Sequence, residues 1–141
     1  MWNKILKIAS AAAGAVAGCF GEWSAALSVL VWVMGIDYIT GVMAAFAGRS
    51  DKTEHGGLSS KAGFIGIARK GIIMLIVLLA TLLDRALGSG TMVFQTAATC
   101  YYIANEGLSI LENAARLNVP FPEGIKRALE GMKDDAGESH Q

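Results

Sequence analysis

The sequence predicts an all-α integral membrane protein with about four short transmembrane helices, or three with one segment lying in the interface. A short C-terminal amphipathic helix follows them. Three observations predict this class. Of 141 residues, 53% are hydrophobic and only 17% charged, where an average soluble domain is about 25% charged. The charges also avoid two long stretches. Between Ile8 and Gly48 only Glu22 and Asp37 are ionisable carboxylates or cations, and from Gly71 to Asn105 only Asp84 and Arg85 interrupt. Finally, 12 basic residues balance 12 acidic ones, yet the cations are segregated. Lys4 and Lys7 precede the first stretch, Arg49, Lys52, Lys61, Arg69 and Lys70 follow it, and Arg116, Lys126, Arg127 and Lys133 come after the second. A soluble monomer, a disordered chain and a nucleic-acid binder needing a basic face are disfavoured by this composition.

The first stretch, as one helix, would be about 60 Å long, twice the hydrocarbon thickness of a bilayer. It therefore divides into two spans with a turn at Gly21-Glu22-Trp23. In the first span Ser10, Gly14 and Gly18 recur every fourth residue, a small-residue spacing that lets membrane helices approach closely. Lys4, Lys7 and Val16-Ala17-Gly18-Cys19 resemble a lipoprotein signal. Because apolar character resumes at once, we expect the span to be retained. Cys19 and Cys100 each stand alone in apolar sequence, which fits small buried hydrophobes and offers no metal spacing. His55 lies in a Gly-rich loop and His140 in the tail, and neither suggests a ligand or a base.

The second span carries Asp37. On a helix, Asp37, Gly41, Ala44 and Gly48 share one face. A carboxylate at membrane depth must be paired, neutralised or wetted. Two readings fit: an intramolecular packing seam, or a surface that meets another subunit or water.

The second stretch divides at Gly88-Ser89-Gly90 into spans of roughly 67–87 and 91–112. In the fourth segment Gln95, Thr99, Tyr102, Glu106, Ser109, Asn113 and Arg116 follow one another at alternating steps of four and three. They form one continuous polar stripe, flanked by Asn105 and Glu112. Such a face turns toward protein or water, not lipid. It is either a hydrogen-bonded seam within the monomer or a seam that joins subunits or lines a hole, and its length favours the second. Past Leu117, Asn118 and the pair Pro120 and Pro122 end the helix. An amphipathic helix with Ile125, Leu129 and Met132 on one side then lies at the membrane surface or against the bundle. Residues 1–133 form one domain, and 134–141 read as a polar, disordered tail.

An even number of crossings puts all three basic segments on one side, so the positive-inside rule favours four spans with both termini cytoplasmic. The sequence contains no nucleophile–base pair, HExxH or P-loop. No enzymatic activity, cofactor or metal is expected, and no nucleic acid is expected as a partner.

Four blocks, in order, carry a family resemblance. They are Ile36-Asp37-Tyr38-Ile39-Thr40-Gly41, the run from Leu58 to Lys70 (LSSKAGFIGIARK), the run from Tyr102 to Ala115 (YIANEGLSILENAA), and Val119-Pro120-Phe121-Pro122. The chain resembles the toxin-secretion and phage-lysis holin family over most of its length, from about Trp32 to Met132. It departs from the family's usual pattern in an Ala/Gly-rich first span and a long central loop, Asp51 to Gly57. The resemblance implies a phage or prophage protein that homo-oligomerises in the bacterial cytoplasmic membrane. Its non-specific holes would release a cell-wall hydrolase (endolysin), or in some relatives a toxin, and so cause cytolysis and host lysis. No direct contact with the hydrolase is required, so the partners are the lipid bilayer and other copies of the chain. Asp37, Gln95, Thr99, Tyr102, Glu106, Ser109 and Asn113 are then pore-lining or subunit-contact candidates, and Gly14, Gly18, Gly41 and Ala44 helix-packing candidates. An antiholin would carry the same blocks but inhibit lysis. A small selective channel or transporter would show ion preference in bilayer recordings, and the sequence has no recognisable filter for one.

Overall fold

The computed structural model describes residues 1–138. Among them it has five α-helices and no strand: α1 (Trp2–Cys19), α2 (Ala25–Phe46), α3 (Ser60–Leu87), α4 (Val93–Arg116) and α5 (Glu123–Glu138). Two of these, α2 and α3, are long and apolar enough to cross a membrane. Two helices therefore meet that requirement on their own where the sequence led us to expect four crossings. Lys4 and Lys7 in α1 and the polar stripe of α4 reduce the apolar character of the other two.

Local chemistry sets the helix ends. Ser24 and Ser59 sit in extended backbone at the starts of α2 and α3, and their hydroxyls accept from the amides of Leu27 (3.2 Å) and Ala62 (3.4 Å). Gly88 closes α3 in the left-handed region, where a glycine carries no Cβ penalty. At the end of α4, Asn118 has φ +60° and the Val119 amide donates to the Ala114 carbonyl at 2.9 Å. The turns expected at Gly21-Glu22-Trp23 and Gly88-Ser89-Gly90 are both present, with Gly21 at φ +75°.

The packing has α4 at its centre. α2 and α3 lie against one side of it and α5 against another, while α2 and α3 barely meet. A helix with a polar stripe is driven to this position, because the bundle interior is where its polar groups can find partners. Toward the turn end, Phe20, Leu27, Leu30, Met34, Ile73 and Val77 form an apolar core, with Ala98, Tyr102 and Ile103 packed on it. The outward faces of α2 and α3 are strongly apolar, among them Val29, Trp32, Ile36, Ile72, Leu75 and Leu79.

Two expectations are corrected. α1 buries no residue, so Cys19 is exposed rather than a buried hydrophobe, and Cys100 is half-buried in the groove between α4 and α5. The C-terminal helix also runs to Glu138, so 134–138 are helical and not a disordered tail. The reason is packing: the apolar face of Leu129 and Met132 continues to Ala136, which is buried. Residues 139–141, including His140, lie outside the described residues.

α5 folds back antiparallel to α4. Leu129 sits over Gly107, where a Cβ would come within 3.0 Å of both Leu129 methyls. The Lys133 ammonium donates to Asn105 Oδ1 at 3.1 Å and lies 5.6 Å from the Tyr101 ring centroid. Ala136 lines a groove with Met92 and Val93 at the start of α4.

The α1–α2 turn is tied to the bundle at Gly21, where a Cβ would stand 2.6 Å from the Arg85 guanidinium. Gly21→Ala places an L-residue at positive φ, and we expect a loss of about 1–2 kcal/mol. Denaturant unfolding of the purified protein in micelles measures this. Parental stability would show that the turn relaxes without cost.

Candidate functional site: a buried polar seam

The polar residues of α4 meet partners from α2 and α3 in two layers. In the layer nearer the central loop, the Lys70 ammonium from α3 donates to Asp37 Oδ2 on α2 at 2.7 Å and also to Glu106 Oε2 on α4. Asp37 and Glu106 are 6% and 3% exposed. Asn113 completes the layer from α4. Its Nδ2 donates to Thr40 Oγ1 at 3.0 Å and to Asp37 Oδ1 at 3.3 Å. Its Oδ1 accepts from Arg116 Nη1 at 3.0 Å, and Arg116 pairs in turn with Asp51 of the central loop at 2.6 Å. Arg49 donates to the Arg116 carbonyl at 3.0 Å, so the loop closes over this end of the seam.

The second layer lies at the turn end. Asp84, near the end of α3, accepts from the backbone amides of Phe94 (3.0 Å) and Gln95 (2.8 Å), the first turn of α4. The Gln95 amide group donates to Thr81 Oγ1 at 2.7 Å and to the Phe20 carbonyl at 3.4 Å. The hydroxyls of Thr99 and Thr81 donate back to carbonyls of their own helices, Gln95 at 2.6 Å and Val77 at 2.9 Å. Among the described residues no buried side-chain nitrogen or oxygen lacks a partner. That completeness spares the seam the cost of an unpaired buried polar group and makes each partner hard to remove singly.

Every residue of the candidate stripe can now be placed. Gln95, Thr99, Glu106 and Asn113 are buried within the chain's own bundle, as is Asp37 from α2. Tyr102 and Ser109 are half-buried, Tyr102 beside the apolar core. Ala44 is buried, and a Cβ on Gly41 would stand 3.7 Å from Asn113 Nδ2 and 3.8 Å from Lys52 Nζ, so Gly41 borders this seam. Nothing lies within 4 Å of a Cβ built on Gly14 or Gly18, so these two have no packing partner in the chain. Sequence reasoning missed Lys70, which it grouped with the basic loop, and Asp84, which it treated only as a break in an apolar run. The signal for Lys70 was the need of an intramembrane Asp37 for a countercharge at the edge of the next span. Chemically the site is a clasp: two carboxylates from different helices share one ammonium. No group of three or more His, Cys, Asp or Glu among the described residues is placed to hold a metal.

Comparison with known proteins supplies the family. An uncharacterised 14.9 kDa protein of Clostridium perfringens is 41% identical over 115 residues, covering 82% of each chain. An uncharacterised Listeria innocua protein is 38% identical over 140 residues, or 96% of this chain and 94% of the relative. A probable holin of Bacillus phage phi105 is 36% identical over 101 residues, or 71% of this chain and 68% of the relative. No solved structure matches the chain. The model of the bacteriophage holin family, a family of non-enzymatic membrane proteins, matches residues 14–134, and this chain is a member of that family.

Proposed function

We propose that the chain is a hole-forming holin of the bacterial cytoplasmic membrane. Copies accumulate laterally, assemble and open non-specific holes through which a cell-wall hydrolase, or a toxin, leaves the cell. The observation that carries the reading is family membership joined to two helices, α2 and α3, with apolar outward faces. In this reading α1 to α4 cross the membrane. The N-terminus, the basic central loop and the Pro120-Phe121-Pro122 break stay on the cytoplasmic side, where the cations contact anionic lipid. α1, which buries nothing in its own chain, supplies a subunit contact through Gly14 and Gly18. The Asp37–Lys70–Glu106 clasp keeps each subunit closed. If holes are instead lined by the α4 stripe, Asp37, Gln95, Thr99, Tyr102, Glu106, Ser109 and Asn113 become available only after α4 separates from α2 and α3.

Induction of the chain alone in bacteria is expected to collapse the membrane potential abruptly after a period of normal growth. Lysis follows when a wall hydrolase is co-expressed. Unchanged potential and growth, with membrane insertion verified by fractionation, would refute the proposal. Suppression of lysis by a second, active holin would identify an antiholin instead.

A further inference from the structure

α5 lies at the same height along the bundle as the most apolar parts of α2 and α3. Leu129 packs on Gly107 of α4, and Ala136, two turns further along α5, lines the groove that Thr96, Ala97 and Cys100 of α4 also line. α5 thus extends about 24 Å along α4 toward the turn end. α3 runs antiparallel to α4 over the same interval, from Lys70 beside Glu106 to Asp84 beside Gln95. That interval of α3 exposes Ile72, Leu75, Ile76 and Leu79, and the neighbouring interval of α2 exposes Val29, Trp32 and Ile36. The outer face of α5 has the opposite character. Glu123, Glu130, Asp134 and Glu138 follow one another at steps of seven, four and four, and all are exposed, while Arg127 beside them lines the rim of the α4–α5 groove. The four carboxylates point away from the face of α5 that carries Leu129 and Ala136 against α4.

At one height the subunit therefore presents hydrocarbon-like surface on α2 and α3 and a charged stripe on α5. Lipid can cover the first but not the second, because each ionised group held there would lose its water without gaining a partner. We propose that α5 stays docked on α4 at membrane depth, and that its charged stripe faces the water of a hole enclosed by several copies of this chain. This rests on the hole-forming reading above and adds which surface lines the hole. The α4 seam then holds the wall together while α5 is wetted. It also places the end of α5 at the far mouth of the hole, not in the cytoplasm where the charge pattern alone put the C-terminus.

The test uses the full chain carrying Cys19→Ser and Cys100→Ser, reconstituted into dye-loaded vesicles. Single cysteines replacing Glu130, Asp134, Leu75 or Leu79 carry nitroxide labels. Collisions with a water-soluble nickel chelate, relative to those with oxygen, are expected to be at least fivefold greater at 130 and 134 than at 75 and 79. In a second variant, Ala136→Cys in a chain that keeps Cys100 on the same groove, a short bifunctional thiol reagent locks α5 to α4. Dye release is expected to persist. Leaky vesicles whose α5 labels meet mainly oxygen would overturn the lining alone. So would release that is abolished by the lock but not by a monofunctional reagent, since α5 would then have to leave α4. Vesicles that never leak in any variant would overturn the hole-forming reading and the lining with it.

Discussion

Lys70→Met is expected to destabilise the folded bundle by about 3–5 kcal/mol, the cost of breaking a buried ion pair by removing one partner. The side chains of Asp37 and Glu106 are only 8% and 4% exposed, and that of Lys70 is 16% exposed, so solvent cannot take over the role of the ammonium. Asn113 still donates to Asp37, but Glu106 loses the one side-chain partner observed for it. Reversible denaturant unfolding of the purified protein in micelles reads the effect. The triple variant Asp37→Asn, Glu106→Gln and Lys70→Met removes all three charges and is expected to recover most of the loss. A loss below about 1 kcal/mol for Lys70→Met would mean that the trio behaves like a solvated surface pair and does not clasp the helices. In cells, a weakened clasp predicts earlier loss of membrane potential at equal protein level.

This trio marks the boundary of what the sequence discloses. The turn glycines, the Asn118 stop and the proline break are local features, each fixed by backbone chemistry within a few residues, and they fall where the sequence places them. The α4 stripe is likewise a matter of spacing along one helix. Its partners are not: Lys70 lies 33 residues from Asp37 and 36 from Glu106, and only the folded chain shows which cation reaches them. Because Lys70 stands at the edge of an apolar run, composition groups it with the loop cations. α3 instead begins at Ser60, capped by Ser59, and carries Lys61, Arg69 and Lys70 as helical residues. Cys19 fails for a related reason: an apolar, small-residue helix looks buried in sequence, and whether it finds a partner depends on the rest of the chain. The end of α5 was hidden by its charges, since the stripe through Asp134 and Glu138 reads as a tail unless Ala136 is known to pack on α4.

Asp84→Leu is expected to cost about 2–4 kcal/mol, although leucine is the better residue for a span by hydropathy. The Asp84 carboxylate accepts from the Phe94 and Gln95 amides, two of the donors that the start of any helix leaves unpaired. Met92, the N-cap residue of α4, supplies no side-chain acceptor. Hydrogen bonds to an ionised acceptor contribute about 1.5–3 kcal/mol each when buried, and a negative charge at a helix N-terminus adds roughly 0.3–1 kcal/mol. Leucine removes all of these contributions, while its added apolar surface offsets part of the loss. Asp84→Asn keeps one acceptor oxygen without the charge and is expected to fall between leucine and the parent. Amide hydrogen exchange separates this role from a general preference for charge at the membrane edge. Loss of the cap speeds exchange at Phe94 and Gln95 before it affects the middle of α4, whereas a merely interfacial carboxylate would leave those two amides protected in both variants. Because the Gln95 side chain also bonds Thr81 and the Phe20 carbonyl, loosening the first turn of α4 should release the α1–α2 turn as well. An Asp84→Leu protein with parental stability and protected amides would show that the α3–α4 hairpin is held by its apolar contacts alone.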